Sequence, residues 1–455
     1  GVIPAELLLV LICPIHKGGS KALPKNYRPV SVLPAASKIY ERLLQSQICS
    51  YIEKHLSNYL CGYRKGFSTQ FALLSLVEKW KKALDSKKYA GAVLMDLSKA
   101  FDTLNHELLI AKLHAYGFSK EALYLIFSYL KNRWQRTKIN NSFSSWSELL
   151  SGVPQGSVLG PLLFNIYIND LFWVNDNTDV CNYADDTTFH ACDVDIESLL
   201  QKLEHDSLLA LEWFDNNYMK LNSDKCHLLI SGFKHQLHWV NVGPSKVWES
   251  SERNLLGIAL NNGLKFRSHI SKICRKASQK LSALIRVSRF MTLKKRQLLF
   301  QSFIKSQFNY CPLVWMFHDR GLNNRINRLH ERALRIVYRD DVSSFKDLLK
   351  RDGSVSIHHQ NLQKLAIELF KVKHGVSKGI MNDLFSFNSK NIEVRSKNDF
   401  TIPKINTVYK GEDSIRYLGP KIWNLIPSNL KQSKSLGKFK EEIRKWIPND
   451  CPCRL

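Results

Sequence analysis

Apolar residues run unbroken at two points in the chain and recur at helical spacing elsewhere. Leu7-Leu8-Leu9-Val10-Leu11-Ile12-Cys13 and Ala90-Gly91-Ala92-Val93-Leu94-Met95 lack alternation, which predicts buried strands. Residues 180–191 read as a β-hairpin with Asp185-Asp186 at its tip. A helix is expected through 37–44, after the extended, proline-fixed Asn26-Tyr27-Arg28-Pro29-Val30. Another spans 105–117, with Leu104, Leu108, Ala111 and Leu113 inward and Gly117 as its stop. Residues 161–171 suit a buried helix, and 197–215 a further one. In the second half, Ile270, Ile273, Ala277, Leu281 and Leu284 recur at helical spacing, with Lys272, Arg275, Lys276 and Lys280 on other faces. A helix then starts after Thr292. Farther on, Arg325, Arg328, Arg332, Arg335 and Arg339 form one arginine stripe beside an apolar stripe of Ile326, Leu329, Ala333 and Ile336. The mixture predicts an α+β class, without internal repeats or low-complexity tracts.

Composition narrows the class. The 455 residues suffice for two or three domains, and 44% hydrophobic content fills real cores, which excludes a disordered chain. The 7–13 run is too short to span a bilayer and has no basic stretch before it. The expectation is therefore an intracellular protein of nucleus and cytoplasm, neither secreted nor membrane-spanning. Because Gly1 leads directly into an apolar run, the chain reads as N-terminally truncated. The ten cysteines are scattered, and Cys451-Pro452-Cys453 is the only close pair. With no His-x3-5-His after a cysteine pair, a zinc knuckle or finger is not supported, and reduced thiols are expected.

Charge divides the chain. Residues 1–250 carry 26 Lys and Arg against 24 Asp and Glu, whereas residues 251–455 carry 40 against 16. From Arg253 to His318 there are 13 basic residues and no acidic one. The first half resembles an ordinary enzyme core, and the second is built for polyanions, with nucleic acid favoured over a membrane surface. Lys294-Lys295-Arg296 oppose the dipole at a helix start; a phosphate chain or a solvated face would each account for them. In the arginine stripe only Glu331 and Asp340 are near enough to neutralise charge, so phosphate contact is the expectation.

The chemistry lies in Asp96, at the end of the second apolar run, and in Tyr183-Ala184-Asp185-Asp186-Thr187-Thr188, with Ser151-Gly152-Val153-Pro154-Gln155-Gly156-Ser157 between them. Asp-Asp at a hairpin tip can be only a turn. In this company it resembles the palm of a reverse transcriptase, and Leu94-Met95-Asp96-Leu97-Ser98-Lys99-Ala100-Phe101-Asp102 resembles the LINE-type (non-LTR) polymerases of the Jockey-like kind. The resemblance covers roughly residues 5–320 and continues weakly through Lys421-Ile422-Trp423-Asn424-Leu425-Ile426-Pro427.

That resemblance implies a right-hand polymerase. Residues 1–89 would be fingers, 90–262 a palm with an antiparallel sheet, 263–320 a helical thumb, and 321–455 a basic, mainly helical, nucleic-acid-binding region. Asp96 and Asp185 would be the main ligands of two Mg2+ ions, with Asp186 the third carboxylate; on an ideal strand Asp186 points away from Asp185, but a turn can bring it partly inward. Phe101 would lie beneath the nucleotide sugar. Gln155 and Gly156 would pack by nucleotide and template, and Arg28 and Lys17 would hold the triphosphate. Lys225 would protonate pyrophosphate, with a salt bridge to Asp224 as the plain alternative. Leu256-Gly257, within Asn254-Leu255-Leu256-Gly257-Ile258, would be a primer grip. The implied partners are an RNA template, a DNA primer or target DNA, and dNTPs. The contrasting expectation is a catalytically dead, truncated remnant that only binds nucleic acid. Such elements also carry an upstream endonuclease, which nothing here resembles.

Overall fold

The strand Tyr89–Ser98 lacks alternation because both of its faces are covered. The computed structural model describes residues 3–232, 236–377, 379–387, 399–408, 410–448 and 451–453, so Gly1 lies outside them. Within it, Ala90, Ala92 and Leu94 enter one hydrophobic core, while Val93, Met95 and Leu97 enter another. The strand is central in an antiparallel sheet ordered His227–Ser231, Tyr89–Ser98, Asp186–Asp193, Asp179–Tyr183. Helix Thr69–Asp85 packs on one face and helix Ile196–Asn216 on the other. Gly91 is required here, since a Cβ would stand 3.0 Å from Leu203 of the second helix. Each large apolar side chain so buried contributes about 1.5–3 kcal/mol.

A second sheet joins the strand Leu9–His16 antiparallel to Tyr27–Val32 and parallel to Trp134–Ile139. The 7–13 run is a strand only from Leu9, since Leu7 and Leu8 end a 3-10 turn, and the strand is not covered on both faces: Val10 is buried, while Leu9 is 41% exposed. Its apolar character reflects strand propensity as much as burial. Helix Ala35–Ile52 follows and carries Glu41, fully buried. The Glu41 carboxylate accepts from the backbone nitrogens of Val158 (2.6 Å) and Leu159 (3.0 Å), at the start of the buried helix Gly160–Ile168. A carboxylate there satisfies orphan donors and complements the helix dipole.

Helix His106–Ala115 begins at Asn105, whose side chain accepts from the Leu108 nitrogen, and ends at Gly117 with φ +85°. The bonds Gly117 N to His114 O and Phe118 N to Leu113 O close a Schellman stop. The inward face differs from expectation by one position. Leu104, Leu109 and Leu113 are buried, whereas Leu108 is half-buried and Ala111 exposed. Both registers of the leucines fit a helical period, and packing chose the other.

The basic second half is not an appendage. Helices Arg267–Ser288 and Arg320–Tyr338 pack together, and their apolar residues share one core with helix Thr69–Asp85 and with residues up to Trp446. Buried Asp85 accepts from the nitrogen (2.7 Å) and hydroxyl (2.9 Å) of Thr407, from Asn406 N and from Arg416 (3.2 Å). Buried Lys81 donates to Asp413 O, and Glu78 accepts from Arg416 N. Among the described residues no helix is long and apolar enough to cross a membrane.

Candidate active site

The catalytic candidates meet at one end of the central sheet. Asp96 pairs directly across the ladder with Asp186, and Tyr183 pairs with Asp186 across the hairpin, leaving Ala184-Asp185 as a two-residue turn. Directly opposed residues place their Cβ atoms ~5 Å apart on one face. Asp186, which a turn is expected to bring partly inward, is the strand partner of Asp96, and Asp185 is the tip residue. The backbone makes this possible: Ala184 takes φ +59° and Gly62 lies against it. A Cβ on Gly62 would meet the Ala184 nitrogen at 2.5 Å. Fully buried Asn182 donates to Ala184 O (3.0 Å) and Thr187 Oγ1 (2.9 Å), and Asn165 donates to Gly62 O (2.8 Å).

Three carboxylates crowd this turn. Burial, then the charges of Asp185 and Asp96, push Asp186 up to about 6, while Lys225 acts in the opposite sense. Lys225 reaches Asp96 Oδ2 at 2.8 Å, so its partner is Asp96, not Asp224. The three carboxylates offer hard oxygen donors to a divalent cation, whose charge would relieve the repulsion, although their oxygens do not all lie within 4.8 Å of one another; the ammonium of Lys225 relieves it in part.

Around the turn, Phe101 stacks on Phe164 (centroids 4.6 Å, 19°) and meets Tyr63 edge-on at 5.9 Å. Gln155 Nε2 donates to Asp102 Oδ1 at 2.8 Å, and the Gln155 carbonyl accepts from Ser31 N at 2.8 Å. Its loop thus bridges the Asp96 region and the Tyr27–Val32 strand. Gly156 (φ +128°) lets the two backbones touch, since a Cβ there would fall 2.7 Å from Ser31 O. Tyr63, which the sequence did not single out, belongs to the site. Burial, then the charge of Asp185, push its hydroxyl up, and the Arg28 guanidinium pulls it down. Arg28 and the carboxylate turn thus act on Tyr63 in opposite senses. Lys17 closes the Leu9–His16/Tyr27–Val32 hairpin through its backbone nitrogen to Asn26 O, with its side chain exposed. Leu256 and Gly257 form a turn with φ +46° and +80° between the paired strands Glu252–Leu255 and Ile258–Asn261. Tyr310 Oη donates to Leu256 O at 2.7 Å, and burial leads the causes that push this phenol up, with the Tyr183 phenol among them. Tyr310 therefore braces this turn.

The family model "Reverse transcriptase (RNA-dependent DNA polymerase)" matches residues 15–260, more than half of the chain and all of the sheet just described. The chain belongs to the reverse transcriptase family. It is similar to the RNA-directed DNA polymerase from mobile element jockey of Drosophila melanogaster, at 27% identity over 74% of this chain and 38% of that one. It is also similar to the "Probable RNA-directed DNA polymerase from transposon BS" of the same organism, at 28% identity over 73% of this chain and 38% of that one. The chain thus spans 38% of the length of these two relatives. Among solved structures it is similar to apo telomerase from Candida tropicalis, with a TM-score of 0.43 at 12% identity over 77% of this chain and 61% of that one.

Beyond the matched segment, this reverse transcriptase family member divides its basic residues by use. Arg325, Arg328 and Arg332 are exposed and line a groove of about 810 Å³ together with Lys272, Arg275, Ser271 and Ser278 of helix Arg267–Ser288. Arg325 donates to Ser271 Oγ at 3.2 Å, and Lys272 pairs with Glu252. Arg335 pairs with Glu331 at 2.7 Å, and Arg339, with φ +54° at the helix end, donates to the carbonyls of Ser288 and Arg289. Lys294 and Lys295 are exposed on helix Leu293–Leu299. Arg296 corrects the expectation of a phosphate contact. It is 6% exposed, and donates to Val337 O and Met291 O at 2.7 Å each, so its charge caps other backbone groups inside the protein.

Proposed function

We propose that the chain is the RNA-directed DNA polymerase of a non-LTR retrotransposon, adding dNTPs to a primer 3′ end on an RNA template, with a nicked target-DNA strand as the natural primer. The observation that carries this reading is the register of Asp96 and Asp186 with Asp185 at the turn between strands, inside the segment that matches the family. Asp96, Asp185 and Asp186 would hold two Mg2+ ions, which supply Lewis acidity to both the attack on the α-phosphate and the departure of pyrophosphate. Phe101, fixed flat on Phe164, lies beneath the sugar and excludes a 2′-hydroxyl by bulk. Gln155 and Gly156 shape the floor beside nucleotide and template. Arg28 and Lys17 bind the triphosphate, where a guanidinium suits two oxygens at once. Lys225 holds a proton at Nζ for the leaving pyrophosphate. The Leu256-Gly257 turn, braced by Tyr310, supports the primer end, and the groove of Arg325, Arg328 and Arg332 takes the phosphates of the template–primer duplex. Fingers, palm, thumb and C-terminal region follow the division 1–89, 90–262, 263–320 and 321–455. Such an enzyme works in nucleus and cytoplasm, where its RNA and its target DNA occur.

The test is Mg2+-dependent dNTP incorporation on poly(rA)/oligo(dT), with Asp185→Asn beside the wild type. Incorporation should fall by more than ~100-fold in the variant, with RNA binding unchanged. No incorporation by the wild type, with tight salt-sensitive RNA binding retained, would instead identify a remnant that only binds nucleic acid.

A further inference from the structure

Far from the match to the family model, the fold assembles a second set of donor groups. His358 is the second residue of helix Ile357–Lys373, and Cys451 and Cys453 lie 93 and more residues beyond it. The three ligand atoms all stand within 4.8 Å of one another, the only such trio of His, Cys, Asp or Glu among the described residues. His358 Nε2 is 3.4 Å from Cys451 Sγ, and the two sulfurs are 2.7 Å apart. His358 is 8% exposed, and its Nδ1 is buried without a partner.

A plain thiol cluster explains this poorly. A thiol is a weak donor and a weak acceptor, and gives little reason to draw two sulfurs and a buried imidazole together. Coordination gives one. With Zn–N near 2.0–2.1 Å and Zn–S near 2.3 Å, a tetrahedral site has N–S edges of about 3.6 Å and S–S edges of about 3.8 Å. The first is met to within ~0.2 Å, and the second needs the thiols to open by ~1 Å. We propose that His358, Cys451 and Cys453 form a structural zinc site that fastens the end of the described chain to helix Ile357–Lys373. On binding, both thiols release their protons to solvent and the two thiolates neutralise the ion. Neutral His358 supplies the Nε2 lone pair, and nothing is oxidised or reduced. The fourth place falls to water or to a neighbouring imidazole. His359 has its ring centroid 5.8 Å from that of His358, and His318 is close enough to feel its charge.

The sequence concealed this site because its ligands do not follow the spacing of a zinc finger or knuckle. The surroundings are ready for a fastening. Gln363 of the same helix donates to Arg444 O and Trp446 O, and Phe370 stacks on Phe439 at 4.2 Å. No carboxylate of the Asp96 site takes part, so metal here can be read apart from polymerisation.

The experiment is elemental analysis of the full chain purified under reducing conditions, with about one zinc per chain expected. Replacing that zinc with Co2+ should produce thiolate-to-cobalt charge-transfer absorption, a readout that needs no variant. Cys451→Ser and His358→Asn should lose the metal, while His358→Cys, which restores a ligand, should keep it. A zinc-free chain with all its thiols titratable would overturn the proposal. So would a Cys451–Cys453 disulfide in the native protein, or bound cobalt without a sulfur band.

Discussion

The carboxylate turn and the arginine helix both present charge at regular positions, and they hold it by different means. At the turn the backbone that carries Asp185 and Asp186 is held by buried neutral neighbours: Asn182 grips Ala184 and Thr187, Asn165 holds Gly62, and Gly62 lies on the turn backbone. On Arg320–Tyr338, three arginines stand exposed along a groove, while Arg335 and Arg339 are drawn into bonds within the protein. The difference suits the two proposed tasks. Chemistry at a phosphorus atom depends on placement to a fraction of an ångström, whereas a phosphate chain is held by charge within reach.

The comparison breaks first at Gly62. Gly62→Ala should push the Ala184-Asp185 backbone aside and cost incorporation about 100-fold, because ~1 Å of misplacement has that effect. RNA affinity should persist, and an unchanged rate would show that the turn is not placed through Gly62. Next comes Arg296. Arg296→Ala leaves the Val337 and Met291 carbonyls unpaired and should cost roughly 2–4 kcal/mol of stability, read as a lower denaturation midpoint. Its salt dependence of RNA binding should match wild type; a flattened dependence would return Arg296 to the nucleic-acid surface. The smallest effect belongs to the groove. Arg325→Ala with Arg328→Ala should lower the slope of log affinity against log salt by about 0.7–0.9 per lost contact. Arg335→Ala with Arg339→Ala should leave that slope alone, and equal effects of the two pairs would erase the distinction.

What could be read from the chain was local. The unbroken apolar run predicted Tyr89–Ser98, and the helical spacing predicted Arg267–Ser288 and Arg320–Tyr338, since each pattern reports its own element. The reading of Asp186 allowed that a turn could bring it partly inward; only the register places that turn at Ala184 and Asp185 and sets Asp186 opposite Asp96. Lys295 and Arg296 are adjacent and chemically alike, yet one is solvated and the other buried; only the packing partner near Val337 separates them. Tyr63 carries no motif and joins the site because Gly62 is pinned beside it. Glu41 likewise shows its role only where its carboxylate meets the nitrogens of Val158 and Leu159, far along the chain.

The bonds of helix Thr69–Asp85 to residues 406–416 bear on the timing of synthesis. Glu78, Lys81 and Asp85 are buried, yet their partners follow 321 to 338 positions later. At roughly 5–20 residues per second, a ribosome takes on the order of 16–70 s to deliver them. Until then those side chains keep their water, and the helix that backs the carboxylate-bearing sheet lacks these partners. The half of the molecule that bears the carboxylates is translated first and completed last.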